Sequence, residues 1–235
     1  MKVNKIGIIG AMDEEIKLFL ENLEETQKIE WNDFVFYLGK IFGLEAVVVK
    51  AGAGKTSAAM ICQKMIDEFG PEAIIFTGVA GSLTSKTGIG DVVVSSDCVH
   101  HDLDASELGF VRGTIPFTDY RFFKADEELK NLALKTVLPN NKVLEGRILT
   151  GDQFLTKAKI KEFDYLEKDL AGEVVEMEGA AVAQVCVFNK IPFVVVRSVS
   201  DKADGQAAEN FKEFLDKAAR NSFEVVKNIL VNINL

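Results

Sequence analysis

The sequence predicts an α/β protein, a single-domain three-layer α/β/α sandwich with a mixed, mostly parallel central sheet. Short apolar runs that are typical of buried strands alternate with helical runs through most of the chain, which is the pattern of a sheet covered on both faces. The chain has 235 residues, 48% of them hydrophobic, which is enough for one full core. No repeat or linker interrupts the pattern, so we expect residues 1–235 to form one domain.

The strands and helices are predicted from this alternation. The strands are expected at residues 5–10, 34–37, 45–50, 73–78, 91–95, 143–150, 174–177 and 193–201. The helices are expected at 13–23, 56–69, 126–136, 157–166, 178–186 and 210–233. The segment 99–124 has no regular pattern, and an irregular segment of that length in a compact domain is usually functional or part of an interface.

The composition restricts the class of partner. A formal net charge of −9 argues against nucleic acid and anionic membranes, since both require concentrated Lys and Arg. The three cysteines lack CxxC spacing and there are only two histidines, so we expect reduced thiols in a cytoplasmic protein without a metal site or cofactor. The opening apolar run is too short for a signal peptide, and no run approaches the roughly eighteen apolar residues of a membrane span.

Two glycine motifs resemble nucleotide-binding loops without completing them. Gly7 and Gly10 are followed by Ala11 and Met12, so the third glycine of a dinucleotide fingerprint is missing. The tripeptide 54–56, Gly-Lys-Thr, resembles the end of a Walker loop, but Val49 stands at the first glycine position. A close-packed strand-to-helix turn is the preferred interpretation of residues 51–56.

The segment 173–186 concentrates carboxylates where a strand passes into an apolar helix. An acid before such a helix ordinarily caps it and offsets its dipole, and this is the first interpretation of Glu178. The pair Glu176 and Glu178 favours a second interpretation. On a strand that ends at Met177, both carboxylates leave on one side, at the strand end where open α/β sheets bind ligands. Ionised carboxylates only accept hydrogen bonds, so a sugar diol is a suitable partner.

Other residues that follow strand ends are expected on the same rim of the sheet. Glu15 alone is more often a dipole-compensating acid at a helix N-terminus, and Phe154 either stacks on a flat ring or joins the core. His101 and Asp102 point apart in an extended segment, so a structural role is preferred to an acid/base pair. The rim set indicates an uncharged ligand made of a flat base and a sugar diol, and comprises Glu15, residues 78–82, Phe154, Leu155, residues 176–178, Ser200 and Asp201.

Five segments, in order over almost the whole chain, carry a more specific pattern: Gly7-Ile-Ile-Gly-Ala-Met-Asp-Glu-Glu15, Thr77-Gly-Val-Ala-Gly81, Thr150-Gly-Asp-Gln-Phe154, Val175-Glu-Met-Glu178 and Arg197-Ser-Val-Ser-Asp201. This set resembles the 5′-methylthioadenosine/S-adenosylhomocysteine nucleosidases of the purine and uridine phosphorylase superfamily. The resemblance implies a nucleoside phosphorylase-like fold and hydrolysis of the N-glycosidic bond of 5′-substituted adenosines, including 5′-deoxyadenosine. It also implies a homodimer, with a nucleoside and water as the small-molecule partners.

The resemblance also implies a role for each matching residue. Glu15 would activate the attacking water, with Arg197 placing both. Asp201 would protonate N7 of the adenine, and Glu178 would hold the ribose hydroxyls. The other implied contacts are Phe154 and Leu155 at the adenine, then Met12, Ala53, Val79, Glu176, Met177, Ser200 and Phe211 around the ribose and 5′ group, and Ala105, Leu108 and Pro116 from the neighbouring subunit.

The chemistry of N-glycosidic cleavage is consistent with two acids in opposite protonation states. Bond breaking builds positive charge on the ribose, which a carboxylate stabilises, and negative charge on the base, which an acid offsets. Burial after the apolar run 193–196 is expected to raise the pKa of Asp201, so that it donates near pH 7. A helix N-terminus and Arg197 are expected to keep the pKa of Glu15 low, so that it stays ionised.

Some residues depart from the family pattern. Val79 stands where several members carry serine, so one hydrogen bond near the ribose is expected to be missing. Ala105 and Leu108 replace bulkier residues, which would widen the 5′ pocket. The variant at 79–82 resembles the branch that also cleaves 6-amino-6-deoxyfutalosine in menaquinone synthesis, and this compound is a further candidate substrate.

Three rival functions are considered. A phosphate-dependent purine nucleoside phosphorylase of the same fold needs cations for phosphate, and none of the five arginines lies in the 10–11 turn or the 77–82 loop. A non-catalytic nucleoside-binding module needs no acids in two opposed roles. A kinase that uses residues 54–56 is weakened by Val49.

Overall fold

The structure is a computed structural model that describes residues 2–201 and 207–235, apart from the side chains of residues 157, 158, 201 and 207–213. The strands in this part of the chain are β1 Lys5–Gly10, β2 Glu24–Trp31, β3 Phe34–Ile41, β4 Leu44–Lys50, β5 Ala73–Ser82, β6 Val92–His100, β7 Phe123–Lys124, β8 Val143–Thr150, β9 Val174–Glu176 and β10 Phe193–Asp201. The helices are α1 Asp13–Glu21, α2 Lys55–Phe69, α3 Glu127–Leu134, α4 Lys157–Glu162, α5 Tyr165–Lys168, α6 Gly179–Asn189 and α7 Ala207–Asn232.

The central sheet consists of two parallel groups of strands. β4, β1, β5 and β10 are parallel neighbours, and β6, β8 and β9 form the second group. The antiparallel pairs β10–β6 and β5–β9 join the groups, so this side of the sheet closes on itself. β3 and β2 extend the other side as an antiparallel meander. The predicted mixed α/β fold is confirmed, and the closure is a feature that simple alternation does not predict.

β5 changes partners along its length, and this change creates the space for a site. Up to Phe76 it lies between β1 and β10. Its last residues, Gly81 and Ser82, pair with Val175 and Val174 of β9 in place of β1, while Gly81 still lies opposite Asp201 of β10. A gap therefore opens beyond the carboxyl end of β1, between the side of the sheet that closes and the side that stays open.

Helices cover both faces of the sheet. α2 and α6 pack together on one side, while α1 and α3 pack against α7 on the other. α6 is apolar on all sides and is correspondingly buried over residues 179–183, as expected for a helix without a polar face. One core cluster runs through the sheet, and a smaller one lies beneath the loop that follows β8.

Several element boundaries differ from the sequence predictions. β2 is not predicted, because it is an exposed edge strand of mostly polar residues, and charged edges of this kind protect a sheet from further pairing. β5 and β6 continue to Ser82 and His100, which shortens the irregular segment. The single helix predicted at 157–166 is two short helices, α4 and α5. None of the helices in the described part of the chain has the length and apolar character needed to cross a membrane.

Candidate active site

A pocket opens at the carboxyl ends of the strands, in the gap beside β5. This is the rim at which parallel α/β sheets bind ligands. Ten predicted site residues line it together: Met12, Glu15, Ala53, Val79, Phe154, Leu155, Glu176, Met177, Glu178 and Ser200. The prediction that these residues share one cavity therefore agrees with the geometry.

Glu15 occupies the gap between β1 and β5. Its side chain is 5% exposed and accepts three backbone N–H bonds, from Ala11 at 2.6 Å, Met12 at 3.0 Å and Val79 at 3.0 Å. The Met12 contact is a capping-box interaction at the start of α1, where the sequence indicated a dipole-compensating acid. The Val79 contact ties the carboxylate to the neighbouring strand and faces it into the pocket.

Gly78 allows Glu15 to approach Arg197. A Cβ atom at this position would collide with Glu15 Oε1 and would lie 2.9 Å from Arg197 Nη1. Only a residue without a side chain leaves room for both groups, so Gly78 is required by a close approach rather than by its backbone angles. The expectation that Arg197 lies beside Glu15 agrees with this arrangement.

Arg197 is fully buried and is held by Glu176. Its Nε and Nη2 atoms donate to Glu176 Oε2 at 3.1 and 2.6 Å, and its guanidinium lies 4.0 Å from the Phe76 ring centroid. Glu176 also accepts the backbone N–H groups of Glu178 and Gly179 and the hydroxyl of Thr150. Glu176 is therefore the acid that caps α6, and most of its hydrogen-bonding capacity is used inside the protein.

Glu178 lies next to Glu176 but has a different environment. It makes no capping bond to α6, since Glu176 and Thr150 satisfy the first amides of that helix. Its Oε1 accepts the Gly54 N–H at 2.8 Å, and its Oε2 lies 3.9 Å from Arg197 Nη2. The capping interpretation thus describes Glu176, while Glu178 presents its carboxylate to the pocket.

Glu15, Glu176, Glu178 and Arg197 form what we call the carboxylate cluster. Burial, followed by repulsion from Glu176, raises the pKa of Glu178 to about 8, against the opposing effects of Arg197 and the Gly54 N–H. Burial also raises the pKa of Glu15, although Arg197 and the three N–H donors oppose it. The expectation of a low pKa for Glu15 is therefore wrong, because the loss of hydration outweighs the favourable partners.

A second group of lining residues, Ala53, Gln153, Phe154 and Leu155, forms what we call the loop wall. Phe154 is 45% exposed at the pocket, whereas Leu155 is 5% exposed and anchors the wall in the smaller core cluster. An exposed ring above an anchored residue is a suitable platform for a flat heterocycle.

The remaining predicted residues are not in this pocket or lie outside the described residues. The backbone of Asp201 ends β10 opposite Gly81, but its side chain and that of Phe211 lie outside the description. Ala105, Leu108 and Pro116 lie in the segment after β6, and Leu108 is 70% exposed. They do not line the pocket of their own chain, and their role at a neighbouring subunit stays a prediction.

The two histidines are in structural environments. His100 Nε2 lies 2.9 Å from Gln184 Oε1, and His101 Nδ1 lies 3.3 Å from the Tyr165 hydroxyl. Burial lowers the pKa of His101 to about 4. Asp102 does not pair with either ring but bonds to Lys55, so the geometry favours the structural interpretation of these residues.

Sequence reasoning did not single out Gln153 as a pocket residue, nor the contacts of Gly54. Gln153 lines the pocket, and the sequence marks it only as one residue of the family segment 150–154. Gly54 has φ of 95°, which strongly favours glycine, and this turn aims its N–H at Glu178. The incomplete Walker motif is the only sequence signal that marked this turn.

The chain is similar to several known proteins. Residues 5–231 match the phosphorylase superfamily. A 5′-methylthioadenosine/S-adenosylhomocysteine nucleosidase from a Geobacillus species is 36% identical over 97% of this chain and 99% of its own length. The crystal structure of such a nucleosidase from Colwellia psychrerythraea, in complex with adenine, has a TM-score of 0.92 at 36% identity and covers 97% of this chain and 95% of that one. The futalosine hydrolase of Helicobacter pylori has a TM-score of 0.89 at 36% identity, with 97% of each chain covered.

Proposed function

The chain belongs to the 5′-methylthioadenosine/S-adenosylhomocysteine nucleosidase family of the phosphorylase superfamily, and from this premise we propose its substrates and the roles of its residues. As a member of this family it is an enzyme, a nucleosidase that hydrolyses the N-glycosidic bond of adenosine derivatives. We propose that its substrates are 5′-methylthioadenosine, S-adenosylhomocysteine and 5′-deoxyadenosine, and that 6-amino-6-deoxyfutalosine is a further substrate. The likeness to the H. pylori futalosine hydrolase supports the last of these.

The observation that carries the proposed mechanism is the position of Glu15, buried and facing the same pocket as Glu178. We assign Glu15 as the base that takes a proton from the attacking water. Its raised pKa makes it a stronger base than an exposed carboxylate, which suits proton transfer near neutral pH. Glu178 accepts the ribose hydroxyls, and Phe154 stacks on the adenine.

The charge of the cluster supports the same mechanism. Three carboxyl groups face one guanidinium, and burial and repulsion from Glu176 favour the protonated form of Glu178 in the free protein. Positive charge that develops on the ribose in the transition state is stabilised by the ionised carboxylates of the cluster. Asp201, at the end of β10, is the proposed acid that protonates N7 of the leaving adenine.

Hydrolysis is favoured over phosphorolysis by the lining of the pocket. Within the described part of the chain, no lysine or arginine lines it, and Arg197 lies behind Glu176 and Glu178. A phosphate dianion entering this pocket would meet carboxylates without a cation of its own. Water, being neutral, meets no such repulsion.

The test is to incubate the protein with each nucleoside in phosphate-free buffer and to measure free adenine by chromatography. We expect adenine release that added phosphate does not accelerate, and a loss of more than about a hundredfold in Glu15→Gln and Asp201→Asn. Glu14→Gln changes the exposed neighbour of Glu15 and serves as the control, with activity near that of the unmutated protein. Normal turnover in Glu15→Gln or Asp201→Asn would rule out the assigned roles.

We further propose that the protein is a homodimer in the cytoplasm. The segment after β6 and the nearby end of α6 expose a group of large apolar side chains, Leu108, Val111, Phe117, Tyr120 and Phe188. An exposed apolar group of this kind is typical of a protein interface, and Ala105, Leu108 and Pro116 belong to the same segment. The free, buried cysteines Cys62, Cys98 and Cys186 support a reducing compartment. Sedimentation analysis should give twice the 25.9 kDa mass of one chain, whereas a monomer at micromolar concentration would contradict the dimer.

A further inference from the structure

Three charged residues, Lys55, Asp102 and Asp152, join two of the segments that line the pocket. Lys55 begins α2, and its Nζ lies 2.7 and 2.8 Å from the two carboxylate oxygens of Asp102. The backbone N–H of Lys55 donates to Asp152 Oδ1 at 2.9 Å. The backbone N–H of Asp152 donates in turn to Asp102 Oδ2 at 3.0 Å. The three residues therefore hold together three segments that are distant in sequence.

Each of these contacts adjoins a pocket residue. Lys55 follows Gly54, whose N–H binds Glu178, and Gly54 follows Ala53 of the loop wall. Asp152 precedes Gln153, Phe154 and Leu155, the rest of that wall. A change in the distance between Lys55 and Asp152 thus moves residues 153–155 of the loop wall relative to Ala53 and Glu178.

Asp102 supplies a fixed anchor for this cluster. It follows His101, whose ring is 1% exposed and packs so closely on Gly151 that a Cβ there would lie 2.7 Å from His101 Cε1. The side chains of Lys55 and Asp102 are 24% and 27% exposed, so water screens their ion pair only in part. Although burial opposes it, the hydrogen bond from Lys55 helps to lower the pKa of Asp102.

We propose that Lys55 is a positioning residue, which sets the spacing between the loop wall and Glu178 and thereby the affinity for the nucleoside. This proposal rests on the proposed function, since it assumes that the base lies on the loop wall and the ribose at Glu178. Without the cation, Asp102 and Asp152 would repel each other across a single N–H contact. The wall would then lose its fixed distance from Glu178.

Lys55 is expected to affect binding more than chemistry. Of the groups proposed to move protons, Glu15 lies on α1, which the bonds among Lys55, Asp102 and Asp152 do not involve, and the backbone of Asp201 ends β10. A change that weakens substrate and transition state equally raises KM and leaves kcat almost unchanged. A general loss of folding would instead lower the amount of active enzyme without changing KM.

The experiment compares Lys55→Met with Lys64→Met in the adenine-release assay. Lys64 lies on the same helix, is also 24% exposed and also forms an ion pair, with Glu68, but it is remote from the pocket. We expect KM for 5′-methylthioadenosine to rise about tenfold in Lys55→Met, with kcat within about threefold, and both values to be unchanged in Lys64→Met. Lys55→Arg keeps the charge, so its KM should lie between that of the unmutated protein and that of Lys55→Met.

A second measurement separates this proposal from the proposed function. Adenine binding, followed by calorimetry, should weaken less in Lys55→Met than KM rises, because adenine alone does not reach from the loop wall to Glu178. Asp102→Asn should raise KM as well, and the double variant should resemble Lys55→Met alone, because both changes remove the same interaction. An unchanged KM in Lys55→Met and Asp102→Asn, or an adenine affinity that falls as much as KM rises, in an enzyme that releases adenine, would overturn the role of Lys55. Absence of adenine release from the unmutated protein would instead overturn the proposed function.

Discussion

The carboxylate cluster and the loop wall line one pocket, yet they are built from different interactions. In the cluster, residues that are at most 7% exposed are held by backbone N–H groups and by a buried arginine. The loop wall is held by partly exposed ion pairs and presents a half-exposed aromatic ring. Charges act strongly where water is excluded and weakly where it is present.

This difference indicates that the carboxylate cluster and the loop wall have different functions. Rigid, buried charges are suited to stabilising a charged transition state, because their positions are set before the reaction. Partly exposed contacts are suited to binding, which tolerates adjustment. Mutations in the cluster should therefore affect stability and turnover, whereas mutations in the wall should mainly affect KM.

The largest expected effect comes from Glu176→Gln, which leaves the buried charge of Arg197 without its hydrogen-bonded partner. Removal of one member of a buried ion pair commonly costs about 3 kcal/mol or more. We expect the free energy of unfolding, measured in urea, to fall by about this amount, with a loss of adenine release as Arg197 moves.

Glu178→Gln is the matched control within the same cluster. Glu178 has no cation at hydrogen-bonding distance among the described residues, and its charge is repelled by Glu176. Replacing the carboxyl group with a neutral amide therefore relieves this repulsion. The variant should lose activity while the free energy of unfolding changes by less than about 1 kcal/mol. Equal destabilisation by both changes would contradict the distinction between Glu176, which holds Arg197, and Glu178, which faces the pocket.

A smaller effect is expected from pH in the ligand-free protein. The folded-state pKa of Glu178, about 8, lies above the ordinary glutamate value of 4.5, so between these values the folded state binds more protons than the unfolded state. Stability therefore falls as pH rises through this range, and Glu15 contributes in the same direction. The lowered pKa of His101, about 4, has the opposite sign, since stability then rises between about pH 4 and 6.5.

The interval from pH 7 to pH 8 isolates the carboxyl effect, because the histidines are almost neutral in both states there. We expect the free energy of unfolding to fall by about 1 kcal/mol across this interval. Glu178→Gln should remove most of that slope in parallel urea titrations. An identical slope in the two proteins would show that Glu178 does not have the raised pKa.

Much of this fold follows from the sequence, because strands buried on both faces have unmistakable apolar runs. The strands at 5–10 and 143–150 are found with the predicted boundaries. A simple rule, that the carboxyl ends of parallel strands lie together, predicts that the acids share one rim of the sheet. Glu15, Glu176 and Glu178 meet in one pocket for that reason.

Other features depend on contacts that no local pattern records. The closure of the sheet through β5 and β9 needs only two residue pairs, Gly81 with Val175 and Ser82 with Val174. Which of two neighbouring acids holds Arg197 depends on a few ångströms of backbone geometry. The pKa of Glu15 depends on the depth of burial, which a helix N-terminus does not reveal.

The smallest expected effect concerns the loop wall itself. Phe154→Ala removes the exposed ring and leaves the anchored Leu155 in place, so the wall should keep its position. Stacking contributes about 1 kcal/mol beyond burial, and we expect KM for 5′-methylthioadenosine to rise about fivefold with kcat nearly unchanged. Phe154→Leu retains an apolar contact without the ring face and should give an intermediate KM. A fall in kcat with constant KM would place Phe154 with the carboxylate cluster in function, because only an interaction made in the transition state behaves in that way.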